Sequence, residues 1–103
     1  MVQIKSIIAT IPYQILEKKE NVYHSHFYTI LKTINENTQS EISTNLGRID
    51  TVMETNDSIF IFEFKMQSAQ SGLKQIKKKR YADGYLDKNK RIVLIGVKFS
   101  EIT

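Results

Sequence analysis

The sequence predicts a mixed α/β domain whose elements follow the order αβββαβ. An apolar stripe with a helical period runs over Leu16–Ile34, and three extended segments separated by turn residues follow between Thr38 and Met66. A second helical segment, Ala69–Tyr85, precedes an apolar final strand, Arg91–Phe99. Two strands joined through a helix in one sheet are parallel, with a right-handed crossover. We therefore expect a four-stranded mixed sheet flanked by helices, in which an antiparallel meander is followed by a parallel last strand.

The composition is that of one small globular domain spanning residues 1–103. A chain of 103 residues is long enough for one modest core and too short for two. It has no cysteine, and therefore neither a disulfide nor a thiolate metal site. No apolar run approaches the roughly 20 residues of a membrane span, and the first residues lack the apolar stretch of a signal peptide. We expect a cytoplasmic protein without membrane contact, whose net charge of +4 mildly favours polyanionic partners.

The first third of the chain contains an arm and a helix. Pro12 argues against a helix through residues 1–15, which we interpret as an N-terminal docking arm or linker. The apolar residues of this arm that we expect to be buried are Ile4, Ile7 and Ile8. The apolar stripe of the helix consists of Leu16, Tyr23, Phe27, Ile30, Leu31 and Ile34. Glu20 lies within this stripe, where a carboxylate either complements the helix dipole or has a functional role.

The central strand, Ser58–Met66, has two unlike faces, because side chains alternate along a strand. The apolar face consists of Phe60, Phe62, Phe64 and Met66. The other face begins with Ile59 and Ile61 and ends with Glu63 and Lys65. Charge is costly to bury unless it is paired or bound to a metal. The two charged residues are therefore either a structural ion pair near a strand end or part of a functional site.

A hairpin brings a further carboxylate to these two residues. The preceding strand, Arg48–Glu54, is joined to the central strand through a turn at Asn56-Asp57. A loop symmetric about this turn pairs Glu54 with Ile59 and Val52 with Ile61. The same symmetry puts Asp50 opposite Glu63, with their Cβ atoms about 5 Å apart on one face. A shift of one residue would move Asp50 to the other face. The sequence therefore predicts that Asp50, Glu63 and Lys65 project from one face of the sheet.

This cluster has the composition of a metal-assisted hydrolytic site. Two adjacent carboxylates repel each other unless a proton or a cation lies between them. Magnesium accepts one or two carboxylates and keeps several waters. A neighbouring lysine can position an attacking water or stabilise the charge that develops on a phosphate. These parts suit the hydrolysis of a phosphodiester bond, and the alternative is a carboxylate–lysine network with a structural role alone.

The chain resembles the PD-(D/E)XK nuclease superfamily, whose restriction-endonuclease-like core has the order αβββαβ. Within it, the chain is similar to the family often attached C-terminally to AAA-ATPase-like domains in bacteria. The matching runs are Ile11-Pro12-Tyr13-Gln14, Tyr23-His24-Ser25 with Phe27-Tyr28, Ser40-Glu41, Gly47-Arg48-Ile49-Asp50, Phe62-Glu63-Phe64-Lys65, Leu73-Lys74-Gln75-Ile76 and Ile95-Gly96. They span nearly the whole chain. Ile49 stands where the superfamily signature has a proline.

The resemblance implies a role for each residue of the cluster. Asp50 and Glu63 would bind the cofactor, Mg²⁺ or Mn²⁺, and Lys65 would be the catalytic lysine. Gln75 would be the accessory polar residue of the second helix. The residues that would match a first-helix carboxylate found in part of the superfamily are Glu20 and, as alternatives, Glu17 and Glu41.

The second helix carries a basic stretch, a glycine and two tyrosines. The basic stretch consists of Lys74, Lys77, Lys78, Lys79 and Arg80. It is either a solvated face or, beside a nuclease site, a source of phosphate contacts. The nucleic-acid contacts that we expect are Lys74, Lys78 and Arg48. Gly72 should weaken the helix by about 1 kcal/mol relative to alanine, and we interpret Tyr81 and Tyr85 as packing residues.

The sequence supports three hypotheses of function. The first is a divalent-metal-dependent nuclease domain, a hydrolase that cleaves the phosphodiester bonds of DNA. The second is a catalytically dormant nuclease-fold module that binds nucleic acid or assembles with a partner such as an ATPase-like domain. The third is a plain α/β domain with a structural charge cluster. Since many nucleases of this size dimerise to cut two strands, we also expect a homodimer.

Overall fold

The computed structural model describes residues 3–13, 20–44, 47–65 and 69–101 of the chain. Within these ranges it contains five strands, two α-helices and one 3₁₀ helix. In chain order they are β1 (Ile4–Tyr13), α1 (Glu20–Ile34), β2 (Thr38–Thr44), β3 (Gly47–Glu54), β4 (Ser58–Lys65), α2 (Ala69–Lys78), the 3₁₀ helix (Tyr81–Lys88) and β5 (Arg91–Glu101). Among these elements, neither α-helix is long and apolar enough to cross a lipid bilayer.

The strands form one mixed sheet in the order β1-β5-β4-β3-β2. β2, β3 and β4 form an antiparallel meander, and β4 pairs in parallel with β5 after the crossover through α2. The predicted α/β class, the order of the core elements and the parallel last strand are therefore confirmed. The predicted count of four strands is corrected to five, because β1 pairs in parallel with the other edge of β5.

The N-terminal segment forms a strand, where we predicted a docking arm or linker over residues 1–15. β1 pairs with β5 along its whole length, from Ile4↔Ile92 to Tyr13↔Glu101. Because β1 is an edge strand, it tolerates Pro12, which would remove a hydrogen bond from a central strand. The isoleucines predicted to be buried are 44–49% exposed, since an edge strand has a neighbour on one side only; they are Ile4, Ile7 and Ile8.

Two hydrophobic cores lie on the two faces of β4. Towards α1 lie Phe62 and Phe64, which pack against Phe27 with ring centroids 5.6 and 5.1 Å apart. The core on the other face, towards α2 and the 3₁₀ helix, includes Ile59, Ile61, Ile76, Tyr81, Ile92 and Leu94. The alternation of β4 that the sequence predicts is confirmed, and Glu63 follows Ile61 on the α2 face.

The side of the first helix that is buried against the sheet is narrower than the apolar stripe in its sequence. Leu31 is buried and Phe27 is half-buried against the sheet. Ile30 and Ile34 are 57% and 72% exposed, so the prediction that they face the core was wrong. A stripe assigned by periodicity alone is wider than the side of α1 that the sheet covers. The side chains of Leu16 and Tyr23, the remaining members of the stripe, lie outside the described residues.

The second helix is shorter than predicted. α2 ends at Lys78, and Arg80 adopts the left-handed conformation with φ 54°. The 3₁₀ helix follows directly, so the prediction of one continuous helix to Tyr85 was wrong. Neither glycine nor proline marks the break, which is why no local signal predicted it. The change of direction buries Tyr81, which is 4% exposed, on the α2 side of the sheet.

Candidate active site

The hairpin of β3 and β4 has the predicted register near its turn. The paired residues are Glu54↔Ile59, Met53↔Phe60, Val52↔Ile61 and Thr51↔Phe62. These pairs confirm the register predicted from the turn at Asn56-Asp57. Asp50 and Glu63 are the next residues along the two strands. Here hydrogen bonds between side chains and backbone amides replace those of the backbone ladder.

Asp50 and Glu63 each bind the backbone of the opposite strand. The Asp50 N–H donates a hydrogen bond to Oε1 of Glu63, with 3.1 Å between the nitrogen and the oxygen. The N–H of Phe64 donates to Oδ2 of Asp50 over 3.0 Å. An amide of the neighbouring strand therefore fixes each carboxylate. The structure thus brings together the two residues to which the resemblance assigned metal binding.

The alternation of side chains between the two faces of β3 is interrupted at Asp50. A regular strand would put Ile49 and Val52 on opposite faces, yet both are buried in the core on the α2 side. Glu41 of β2, which the β2–β3 register puts opposite Asp50, has a left-handed backbone with φ 54°. Because the alternation is interrupted here, Asp50 directs an oxygen towards the amide of Phe64. The prediction of side chains that project in parallel from one face therefore leaves out the hydrogen bond between the Asp50 carboxylate and the neighbouring strand.

Glu63 is a buried carboxylate, 1% exposed. Its second oxygen, Oε2, accepts a hydrogen bond from Nε2 of Gln75 over 3.1 Å. Buried charge destabilises a fold unless hydrogen bonds or a counter-charge compensate it, and the amides of Asp50 and Gln75 supply two such bonds. A carboxylate has about four lone-pair positions, so one that accepts these two bonds can still bind a cation. Gln75, predicted from the resemblance as an accessory residue, thus contacts a predicted metal ligand.

Gly72 allows α2 to approach the backbone of Glu63. A Cβ atom at Gly72 would lie 2.7 Å from the Glu63 carbonyl oxygen, closer than real Cβ contacts. The sequence suggested only that this glycine weakens the helix, whereas the structure shows that packing requires it. Since Gln75 lies about one turn further along α2, the same close approach brings its amide within hydrogen-bond distance of Glu63.

Tyr81 is a residue of this site that sequence reasoning assigned to packing alone. Its hydroxyl donates to the carbonyl oxygen of Arg48 over 3.2 Å. Burial raises the pKa of Tyr81, a hydrogen bond with Gln75 lowers it, and the negative charges of Glu63 and Asp50 raise it further, with a net rise. On a continuous α-helix, Tyr81 would lie about 120° around the axis from Gln75. Only the helix break brings the two together, so periodicity could not have found this residue.

Lys65 and Lys98 occupy neighbouring positions on β4 and β5. Lys65 ends β4 and pairs with Lys98, two residues beyond the pair Glu63↔Gly96. Paired residues of parallel strands share a face, so Lys98, two residues beyond Gly96, lies on the face of Glu63. The side chain of Lys65 lies outside the described residues. Lys98 is a half-buried cation that sequence reasoning missed, and the parallel register of the last strand is the signal that could have found it.

The three candidates for the accessory carboxylate are in different situations. Glu17 lies outside the described residues, and so does the side chain of Glu20, whose backbone begins α1. Glu41 is exposed and lines a shallow groove with Ser25, Tyr28 and Ser40, against α1. That groove does not include Asp50, Glu63 or Gln75.

The predicted nucleic-acid contacts lie on α2 and β3, the elements that carry Gln75 and Asp50. Lys74 and Lys78 are exposed on α2, and Arg48 is exposed on β3 two residues before Asp50. With 3.6 residues per turn, Lys78 and Lys74 lie about 60° and 100° from Gln75 around the helix axis, against about 160° for Lys77. The first two lysines therefore belong to the flank of α2 nearer the carboxylates.

The donor set fits a hard divalent cation. Asp50 and Glu63 supply carboxylate oxygens, and Mg²⁺ is held in proteins by one or two carboxylates together with waters. Among the described side chains, no group of three or more His, Cys, Asp and Glu residues assembles. A cation held here by the described chain would therefore rely on these two carboxylates.

A sheet of this topology, with a paired aspartate and glutamate at the open end of its central hairpin, defines a restriction-endonuclease-like domain. The sequence profile of the PD-(D/E)XK nuclease superfamily matches residues 18–103, and the chain belongs to this superfamily.

The chain is also similar to a curated protein of Azotobacter chroococcum mcd 1, described as an uncharacterized protein in the vnfD 5′ region. The two are 35% identical over 88 residues, which cover 82% of this chain and 17% of the relative. The chain thus spans about a sixth of the length of that relative. No solved structure matches the chain significantly.

Proposed function

We propose that the chain is a divalent-metal-dependent nuclease domain that hydrolyses the phosphodiester bonds of DNA. The observation that carries the proposal is the reciprocal arrangement of Asp50 and Glu63, in which each carboxylate is bound by an amide of the opposite strand. Membership of the PD-(D/E)XK nuclease superfamily supports the reaction class. In this proposal Asp50 and Glu63 hold Mg²⁺ or Mn²⁺.

The residues around the carboxylates have distinct tasks in this proposal. The metal, when bound, polarises the scissile phosphate and lowers the pKa of a bound water. The amides of Phe64 and Asp50 fix the two carboxylates, and Gln75 orients Glu63 through Oε2. Lys65, two residues beyond Glu63 on β4, positions the attacking water or stabilises charge on the phosphate.

A cleavage assay with matched carboxylate variants tests the proposal. Plasmid and branched DNA are incubated with Mg²⁺ or Mn²⁺, and Asp50→Asn and Lys65→Ala are expected to reduce cleavage to the background of a mock purification. The control is Glu54→Gln, which neutralises a carboxylate at the other end of the same hairpin and should cleave as the wild type does. Cleavage that survives in Asp50→Asn would contradict the assignment of Asp50.

DNA contacts are proposed for Lys74, Lys78 and Arg48. Each lysine that contacts a phosphate should contribute about one unit to the slope of log affinity against log salt concentration. Lys74→Gln and Lys78→Gln are therefore expected to lower this slope by about one unit each, measured by fluorescence anisotropy without divalent metal. Lys77→Gln, on the far flank of α2, is the control and should leave the slope unchanged. Equal effects of all three variants would indicate a diffuse electrostatic surface.

A second candidate function is a dormant nuclease-fold module that requires a partner. Two observations favour it: the described residues assemble two carboxylates and no larger group, and the relative is about six times as long as the region it shares with this chain. The partner would be an ATPase-like domain or a second copy of the chain. Calorimetric titration with Mn²⁺ separates the candidates, because a dormant domain shows no binding that Asp50→Asn removes. Sedimentation of the isolated chain tests the homodimer.

A further inference from the structure

We propose that Tyr81 is a positioning residue for the carboxylates of the site, acting through the backbone of β3 and the side chain of Gln75. The inference rests on the proposed function, because it concerns the same two carboxylates. Tyr81 would not touch the substrate. Its hydroxyl would hold in place the two supports on which Asp50 and Glu63 depend.

The first support is the start of β3. The Tyr81 hydroxyl donates to the Arg48 carbonyl oxygen over 3.2 Å, two residues before Asp50. A Cβ atom at Gly47 would lie 2.7 Å from the same hydroxyl oxygen, and Gly47 has a backbone φ of 144°. The hydroxyl therefore packs against the strand at a position where only glycine leaves room for it. This contact determines where β3 lies as it enters Asp50.

The second support is Gln75. Its Nε2 donates to Oε2 of Glu63 over 3.1 Å. The same side-chain amide is near enough to the Tyr81 hydroxyl to lower the pKa of Tyr81. An amide side chain can rotate by exchanging its oxygen and nitrogen. The Tyr81 oxygen, whose proton is donated to Arg48, favours the amide nitrogen over the amide oxygen as its neighbour. Tyr81 thus favours the orientation in which the nitrogen of Gln75 faces Glu63. One hydroxyl links the strand that carries Asp50 to the helix side chain that binds Glu63.

The surroundings keep this hydroxyl in place and protonated. Tyr81 is 4% exposed, and the left-handed Arg80 directs it into the core. The pKa of Tyr81 is raised above its ordinary value of 10.0, by burial first and then by the charges of Glu63 and Asp50. The group therefore remains a hydrogen-bond donor to Arg48 throughout the neutral range.

The test compares two tyrosine-to-phenylalanine variants on the same 3₁₀ helix. Tyr81→Phe removes one oxygen and leaves the ring that fills the core. Tyr85→Phe is the matched control, because Tyr85 is also partly buried but lines a pocket with Asn37, Val52 and Lys88. Affinity for Mn²⁺, measured by calorimetry well below the unfolding temperature, should fall about tenfold or more in Tyr81→Phe. It should be unchanged in Tyr85→Phe.

A double-mutant cycle tests the route of the effect. If Tyr81 acts through Gln75, the loss of Mn²⁺ affinity in the double variant Tyr81→Phe, Gln75→Ala is smaller than the product of the two single losses. A purely structural role would lower the unfolding temperature without this coupling. Wild-type affinity in Tyr81→Phe, in a protein whose Mn²⁺ binding Asp50→Asn abolishes, would overturn the proposal.

A measurement without metal keeps the inference separate from the proposed function. In a ¹⁵N-labelled sample, the side-chain amide of Gln75 and the backbone amide of Asp50 should shift in Tyr81→Phe and remain in place in Tyr85→Phe. If the wild type binds no Mn²⁺, the proposed function fails, and these resonances alone decide the positioning role of Tyr81. If neither resonance moves in Tyr81→Phe, the positioning role is wrong whatever the protein binds.

Discussion

The two ends of the β3–β4 hairpin hold carboxylates in contrasting ways. Near the turn, Glu54 pairs with Ile59 in the regular ladder and accepts hydrogen bonds from two ammonium groups, Lys88 at 2.9 Å and Lys90 at 2.7 Å. At the open end, the backbone ladder has stopped, and the partners described for Asp50 and Glu63 are amide groups. The first arrangement neutralises its charge locally. The second binds each carboxylate to an amide of the neighbouring strand, and Glu63 also to the side-chain amide of Gln75.

The contrast bears on the two interpretations that the sequence left open for a cluster of acidic residues and lysines, a structural network and a functional site. Glu54 with its lysines is the structural network, partly exposed and held by ordinary ion pairs. Asp50 and Glu63 have features expected of a preorganised cation site, because amide donors hold their carboxylate oxygens in place. The following predictions test this distinction, from the largest expected effect to the smallest.

The largest predicted effect is stabilisation by metal at one end of the hairpin. Mn²⁺ at about one hundred times its dissociation constant should raise the free energy of unfolding by about 2.7 kcal/mol, because only the folded chain assembles the site. Urea denaturation with and without Mn²⁺ measures this gain. The gain should persist in Glu54→Gln and disappear in Asp50→Asn. Loss of the gain in Glu54→Gln would indicate that the cation binds near the turn and not at Asp50.

A second prediction compares two glycines, Gly72 in α2 and Gly84 in the 3₁₀ helix. Gly72→Ala should lower the free energy of unfolding by about 2 kcal/mol, because the new Cβ would overlap the Glu63 carbonyl and the helix would have to shift. Helix propensity alone predicts the opposite, a gain of about 1 kcal/mol. Gly84→Ala, in the 3₁₀ helix, meets no atom within 4 Å and should change stability by less than about 0.5 kcal/mol. Chemical denaturation decides the sign.

The smallest predicted effect is the pH dependence of the stability that Glu54 contributes at the turn end of the hairpin. Hydrogen bonds from Lys90 and Lys88 lower the pKa of Glu54 below its ordinary value of 4.5. A carboxyl with a lowered folded-state pKa stabilises the fold above its unfolded-state pKa and loses this contribution as the pH falls through the folded-state value. The advantage of the wild type over Glu54→Gln should therefore be about 1 kcal/mol or less at pH 7 and decline as the pH falls below 4.5 and through the lowered folded-state pKa. Denaturation across this pH range checks it, and a growing advantage at low pH would contradict it.

The sequence predicts the hairpin because its determinants are local. A turn at Asn56-Asp57 between apolar segments sets the register, and the register brings Asp50 to Glu63. Two features escaped prediction because they depend on contacts between distant segments. The left-handed Arg80 follows from the burial of Tyr81, and the need for glycine at residue 72 follows from the approach of α2 to β4.

The edge strand β1 escaped for a related reason. In the sequence, Pro12 indicates the end of regular structure. At the edge of a sheet, however, a proline can occur without the loss of a hydrogen bond between strands. The change of facing at Asp50 was also out of reach, since prediction of a strand assumes strict alternation and Ile49 and Val52 break it. Side-chain-to-backbone bonds such as that of Asp50 with Phe64 have no sequence signal of their own.

The pairing of β1 with β5 has a consequence for how the chain folds. Ile4 lies beside Ile92, so β1 has no partner until nearly the whole of this domain has been synthesised. Pairings between such distant residues slow folding, because a long loop must close before the contact forms. Until then the isoleucines of β1 remain exposed and can associate with other nascent chains. The yield of folded domain should therefore depend on slow translation or on chaperones.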